Sequence, residues 1–108
     1  MAALLTRELG AFVAGACFAD IPEAILPPVR HAFADTVGVA IAGAGEDAPR
    51  LVRALLAPNG CESTLLVDAT GASALDAARI NGTSAHALDF DDIAERGGHV
   101  SAVLVPAI

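Results

Sequence analysis

Seven residues, Val29, Ala32, Phe33, Thr36, Val37, Ala40 and Ile41, recur at three- and four-residue intervals. That period is one face of an α-helix, and it runs unbroken for three turns. The run is fenced on both sides. Pro27-Pro28 precedes it, and a proline inside a helix forfeits a hydrogen bond and clashes with the preceding turn at a cost of about 3 kcal/mol. Gly43 and Gly45 follow it. The pattern therefore predicts a short turn over 22–26, a helix starting near Pro28, and a stop at the glycines. An amphipathic helix of this length is stable only when its apolar face packs on something else, and the remaining sequence offers mainly further helices to meet it.

Leu5, Leu9, Phe12 and Val13 form a second helical stripe, ending near Gly15. Asp20-Ile21-Pro22-Glu23 reads as a helix start with Asp20 and Glu23 in capping-box spacing. Asp47 opens a helix over about 48–57, with Val52, Leu55 and Leu56 as its buried side, closed by the turn Pro58-Asn59-Gly60. Thr64-Leu65-Leu66-Val67 predicts one short strand. Ser73 and Asp76 are a capping box for a helix running to about Leu88. Ala74, Ala77, Ala78, Gly82 and Ala85 give that helix a small-residue face that another backbone can approach closely. The stretch from Asp89 to Val100 is irregular, with a Gly97-Gly98 turn. Ala102 to Ile108 begins a further helix. The expected class is mainly all-α, a bundle-like helical portion with at most one strand near residues 64–67. No internal repeat or linker divides the chain, so residues 1–108 are read as one unit. Because the last apolar run stops mid-element, the expectation is the N-terminal portion of a larger helical domain, truncated at its C-terminal end.

Composition narrows the function classes. Hydrophobic residues make up 55% of the 108, with four Phe and no Trp or Tyr. Small apolar side chains suit close helix packing, or a surface covered by something beyond this chain. The longest apolar stretch, Val37 to Ala44, falls far short of the roughly 20 residues that span a bilayer. The first residues, Met1 to Glu8, have no basic region ahead of an apolar one, so no signal peptide is expected and the cytoplasm is the default location. The net charge is −7, and all six basic residues are arginines. Without basic patches to neutralise phosphates, nucleic-acid binding is excluded. Cys17 and Cys61 lack paired spacing and read as free thiols that pack as small hydrophobes. His31 reads as a helix-surface histidine. Gly43-Ala44-Gly45 and Gly97-Gly98 lack the strand–loop–helix setting and the lysine of a phosphate loop.

One dense polar constellation remains: His86, Asp89, Asp91 and Asp92, then Glu95 and His99. His86 and Asp89 share a face if the helix continues that far, and His99 folds back across the Gly-Gly turn. Three readings stay open. The aspartates cap a helix end and order a loop. A histidine oriented by a carboxylate does acid–base chemistry near neutral pH. Or His and Asp hold a divalent metal, although no established ligand spacing is met.

Taken in order, Phe12-Val13-Ala14-Gly15, Asp20 to Glu23, the DTVGVAIAG segment from Asp35 to Gly43, Asn81 to Asp92 (NGTSAHALDFDD) and His99 to Ala102 resemble the start of the MmgE/PrpD family, which includes 2-methylcitrate dehydratase and cis-aconitate decarboxylase. The similarity covers nearly the whole chain, and Asn81 to Asp92 is its most specific part. The resemblance implies a chain of several hundred residues with a large helical domain and a smaller inserted α/β lid. It implies a homodimer with no metal or organic cofactor, acting on small di- and tricarboxylates by proton transfer beside a carboxylate. In the family pattern the first Asp of the DFDD motif and a following His lie at the active site, which map onto Asp89 and His99. His86, Asp92 and Ile93 are their expected site-supporting neighbours. A Thr usually follows DFDD, but Ile93 stands here and lacks its hydroxyl. The usual Pro after the histidine is Val100. The cations that such a substrate requires come, in the family, from lysines in later segments, so this chain by itself is expected to show no turnover. The rival expectation is a non-catalytic helical fragment serving as a dimerisation or binding module.

Overall fold

The computed structural model describes residues 2–94 and 98–108, the side chains of residues 2 and 3 excepted. Glu95 of the acidic cluster and Gly97 of the Gly-Gly turn lie outside the described residues. The chain is mainly α-helical: α1 (Ala2–Gly15), α2 (Leu26–Gly43), α3 (Asp47–Leu56), α4 (Ala74–His86) and α5 (Val100–Leu104), with one small hairpin of β1 (Ser63–Thr64) and β2 (Gly71–Ala72). Short 3-10 turns occupy Phe18–Asp20, Glu23–Ile25 and Val105–Ala107. Among the described residues no helix is long and apolar enough to cross a membrane.

The central helix α2 begins at Leu26, so Pro27 and Pro28 sit in its first turn. Backbone N–H groups there have no partner within the helix, and the missing proline donors cost nothing. The prolines thus start the helix rather than interrupt it. Its packing face is Thr36, Ala40 and Gly43, laid against α4. Thr36 is buried, and its hydroxyl donates to the Ala32 carbonyl at 2.7 Å, which satisfies the one polar group on that face. Only part of the predicted stripe is covered, however: Val29, Phe33 and Ile41 remain exposed.

Two glycines set how closely the helices approach. A Cβ on Gly43 would fall onto the Ser84 carbonyl oxygen of α4, and one on Gly82 would lie 3.1 Å from the Ala102 carbonyl oxygen of α5. Small residues complete the picture, since one core cluster is Ala40, Ala85 and Ala102 with Val39 packed against it. The predicted small-residue face of α4 is used in this way at Gly82 and Ala85, Ala77 is buried in the other cluster, and Ala74 stays exposed.

The second cluster, Leu65, Ala72, Ala77 and Ile80, takes in Val52 and Leu56 from α3. Leu55, expected beside them, is 84% exposed, because it lies about a quarter-turn around α3 from the centre of the Val52–Leu56 face. α3 closes at Ala57, whose left-handed φ of 44° directs its N–H to the Arg53 carbonyl at 2.9 Å. The single strand expected at 64–67 is instead a two-stranded antiparallel hairpin, pairing Ser63 with Ala72 and Thr64 with Gly71. Leu66 and Val67 lie in its turn, where the left-handed Ala69 (φ 56°) reverses the chain. The extended run ends where the chain turns back, with the Leu65 N–H donating to the Thr70 carbonyl and the Leu65 carbonyl accepting from the Ala69 N–H, both at 2.9 Å, while the Leu65 side chain fills the core. Buried Asn81 clips this hairpin to α4. Its side-chain oxygen accepts from the Leu66 N–H at 3.0 Å, and its amide donates to the Thr64 carbonyl at 3.1 Å. The Ser73 cap of α4 is as predicted, its hydroxyl accepting from the Asp76 N–H at 3.1 Å and donating to the Asp76 carboxylate at 2.9 Å.

At the N-terminal end the sequence reading needs correction. Asp20 does not open a helix with Glu23. Its carboxylate reaches back to accept from the Cys17 N–H at 3.1 Å, capping the turn before it. The α1 stripe forms as a helix face but stays uncovered among the described residues, with Leu5 at 59% and Phe12 at 73% exposure. Cys17 and Cys61 are free, and both are exposed rather than packed.

Candidate active site

Helix α4 ends at His86, three residues before Asp89. The expected shared helix face of His86 and Asp89 is therefore absent. The Asp89 N–H closes a turn onto the His86 carbonyl at 3.1 Å, and Asp89 itself is left-handed with φ 56°. Asp tolerates that conformation better than most side chains. The reversal swings the following residues back beneath the helix end. Asp91 is thereby delivered into the interior, with a side chain of 0% exposure.

Asp91 is the hub. One of its carboxylate oxygens lies 3.1 Å from His86 Nδ1, and the other lies 3.0 Å from His99 Nδ1. The first contact is an aligned hydrogen bond. The second is not, so buried His99 Nδ1 has the charge of Asp91 beside it but no well-directed partner. On the far side of the same ring, His99 Nε2 lies 3.4 Å from Asp89 Oδ1. One imidazole is thus flanked at both nitrogens by carboxylates. A neutral imidazole has one N–H and one lone pair, whereas the imidazolium has two N–H donors. The imidazolium carries an N–H on each side that has an aspartate near it, so proton exchange between Asp89 and the ring is chemically open to this arrangement. The two histidine rings meet edge to face, with centroids 4.4 Å apart.

His99 immediately precedes α5, and its position depends on how that helix is held. Asp92 does this: its two oxygens accept from the Ser101 N–H at 3.1 Å and the Ser101 hydroxyl at 2.9 Å. Asp92 therefore faces the start of α5, as a cap, while Asp91 faces the histidines. Ala102, one turn on, is buried against Gly82 of α4. The structure thus brings together His86, Asp89, Asp91 and His99. Of the other sequence candidates, Asp92 supports α5, and Ile93 is 71% exposed with no polar group to offer. Asp91 belongs to the polar constellation of the sequence but is not among the site residues singled out there. The left-handed turn at Asp89 is what redirects it, and no periodicity announces that turn. His31 stays exposed on α2, as expected.

The four clustered residues each offer one ligand atom, and these atoms all lie within 4.8 Å of one another. Two imidazoles and two carboxylates are a donor set that zinc accepts. An open groove of about 570 Å³ lies beside the cluster between α4 and α5, with His86 and His99 on its wall. Its size is in the range that admits a small organic ligand.

Comparison with known proteins gives one result. Residues 7–108 match the profile of the MmgE/PrpD N-terminal domain. No curated protein and no solved structure gives a significant match.

Proposed function

Because this chain belongs to the MmgE/PrpD family over residues 7–108, we propose that it supplies the proton-handling half of a lyase site acting on small di- and tricarboxylates such as 2-methylcitrate. The observation that carries this reading is His99 held between two carboxylates, Asp91 at 3.0 Å from one nitrogen and Asp89 at 3.4 Å from the other. Removing a proton beside a carboxylate needs a base in reach of the C–H bond and a group to return a proton to the departing fragment. His99 and Asp89 are the two reagents in this proposal. Buried Asp91 orients the ring, and His86 and Asp92 hold Asp91 and α5 in place. The contact of 3.4 Å is looser than a hydrogen bond, and such contacts in ligand-free sites tighten when substrate binds. The developing negative charge requires cations that an aspartate cluster does not provide. In this reading the lysines among them come from elsewhere in the assembled protein, a homodimer located in the cytoplasm.

The test is turnover of 2-methylcitrate and related polycarboxylates by the native gene product and by its Asp89→Asn and His99→Gln variants. The reading predicts losses of about 10²–10⁴-fold in kcat for each, the range of general acid–base catalysis. Unchanged rates in both variants would remove these residues from the chemistry.

Two observations favour other readings. The exposed apolar residues of α1 and α2 suit a non-catalytic dimerisation or binding module. Sedimentation with no polycarboxylate turnover in any preparation, but a stable dimer, would favour that module. The close ligand atoms of His86, Asp89, Asp91 and His99 suit a divalent cation. Equilibrium dialysis against zinc, with stoichiometric uptake lost in Asp89→Asn, would promote that reading.

A further inference from the structure

The groove beside the histidines has a third kind of residue on its wall. Arg79, Thr83 and His86 follow one another at i, i+4 and i+7 along α4, and all three line the groove that His99 enters from the other side. Of the arginines on α2 and α3, which pack on α4, Arg50 is paired with Asp47 and Arg53 with Asp68, while Arg30 on α2 lies away from this groove's lining. Arg79 has no ion-pair partner among the described residues. The opposite side of the same helix is fixed, because Ala77, Ile80, Asn81 and Ser84 are buried. An uncommitted guanidinium is therefore presented by a rigid element, two turns from His86, into a groove with no carboxylate among its lining residues.

We propose that Arg79 is a substrate-binding residue that takes one carboxylate of a di- or tricarboxylate and so sets the C–H bond against His99. The inference rests on the lyase reading above and names part of the positive charge which that reading requires. Guanidinium is suited to the task, since its planar fork engages a carboxylate through two parallel N–H donors. Thr83, between Arg79 and His86, cannot add a donor. Its hydroxyl hydrogen is already given to the Arg79 carbonyl at 2.7 Å, so the hydroxyl meets a ligand only as an acceptor. Carboxylate recognition on this wall falls to Arg79.

The native gene product is titrated calorimetrically with tricarballylate, a tricarboxylate that lacks a leaving group, beside its Arg79→Gln and Arg79→Lys variants. The expected result is a loss of about tenfold or more in affinity for Arg79→Gln, the scale of a charge-assisted hydrogen-bonded pair. Arg79→Lys keeps the charge without the fork and should lose less. With a turned-over substrate, Arg79→Gln should raise KM far more than it lowers kcat, which a general structural lesion would not do. Equal tricarballylate affinity in wild type and Arg79→Gln would overturn the role of Arg79 and leave the lyase reading standing. No tricarballylate binding by the wild type would overturn both.

Discussion

Replacing Gly43 by alanine tests whether the α2–α4 approach positions the site. An alanine in a helix interior is about 1 kcal/mol better than glycine on propensity alone, and Gly43, as the last residue of α2, gains only part of this. At Gly43 the new Cβ would overlap the Ser84 carbonyl oxygen and lie 3.2 Å from the Ala87 Cβ. The first obstacle is backbone, which cannot rotate away, so α4 itself must shift. Overpacking of this kind costs about 1–3 kcal/mol, and the net expectation is a loss of about 1–2 kcal/mol. Gly38 on the same helix is the control, because nothing lies within 4 Å of a Cβ there. Gly38→Ala should therefore gain up to about 1 kcal/mol. A loss of about 1–2 kcal/mol at Gly43 against a gain of up to about 1 kcal/mol at Gly38 separates the two variants by about 1–3 kcal/mol. Urea unfolding of the native gene product reads this directly: with m of about 1–3 kcal/mol/M, the midpoints should separate by about 1 M or more in opposite directions from wild type. Since α4 ends at His86, Gly43→Ala should also lower turnover while Gly38→Ala leaves it unchanged. If Gly43→Ala is as stable as Gly38→Ala, the close approach is not a constraint and the reasoning fails.

Other consequences follow from named contacts. Asn81→Ala strands the Leu66 N–H and the Thr64 carbonyl and should destabilise by about 1–3 kcal/mol in the same urea assay; Asn81→Asp, which keeps the acceptor but not the donor, should recover part of this. Asp68 is held well below the ordinary carboxylate range, at about 2, first by the Thr70 hydroxyl and backbone and then by Arg53. A depressed acid stabilises the fold fully above its unfolded value near 4, and that contribution disappears as pH falls towards 2. The melting-temperature gap between wild type and Asp68→Asn should accordingly be constant above about pH 5 and close towards pH 2; a gap independent of pH across that window would contradict the assignment. Asp91→Asn preserves shape but removes the charge beside both histidines, and should lower kcat by about tenfold or more with little change in KM.

What the sequence made legible was whatever repeats with the helical period or carries a local capping signal. α2 came from its stripe and its flanking Pro and Gly residues, and α4 from Ser73 and Asp76. The hairpin was half visible, because two-residue strands are too short to show alternation and Leu65 faces the core from a turn. The burial of helix faces was overestimated at α1 and at Leu55. An amphipathic pattern says that a face is apolar but not which other element covers it. At the site, motif resemblance pointed to Asp89 and His99, and the structure places their side chains within ion-pair distance. The central place of Asp91 was hidden because it depends on one left-handed residue, Asp89, reversing the chain. Arg79 escaped notice for a related reason. It shares a groove with His99 only because α5 folds against Gly82, a contact between segments about twenty residues apart in the chain.

The central claim is that Asp89 and His99 move a proton to and from carbon beside a carboxylate. Incubating the native gene product with polycarboxylates in D2O and following the substrate carbons by NMR tests it directly. The account predicts deuterium entering next to a carboxylate with wild type and falling by about 10²-fold or more in His99→Gln and Asp89→Asn. Exchange that persists undiminished in both variants, or no exchange with any di- or tricarboxylate, would contradict it.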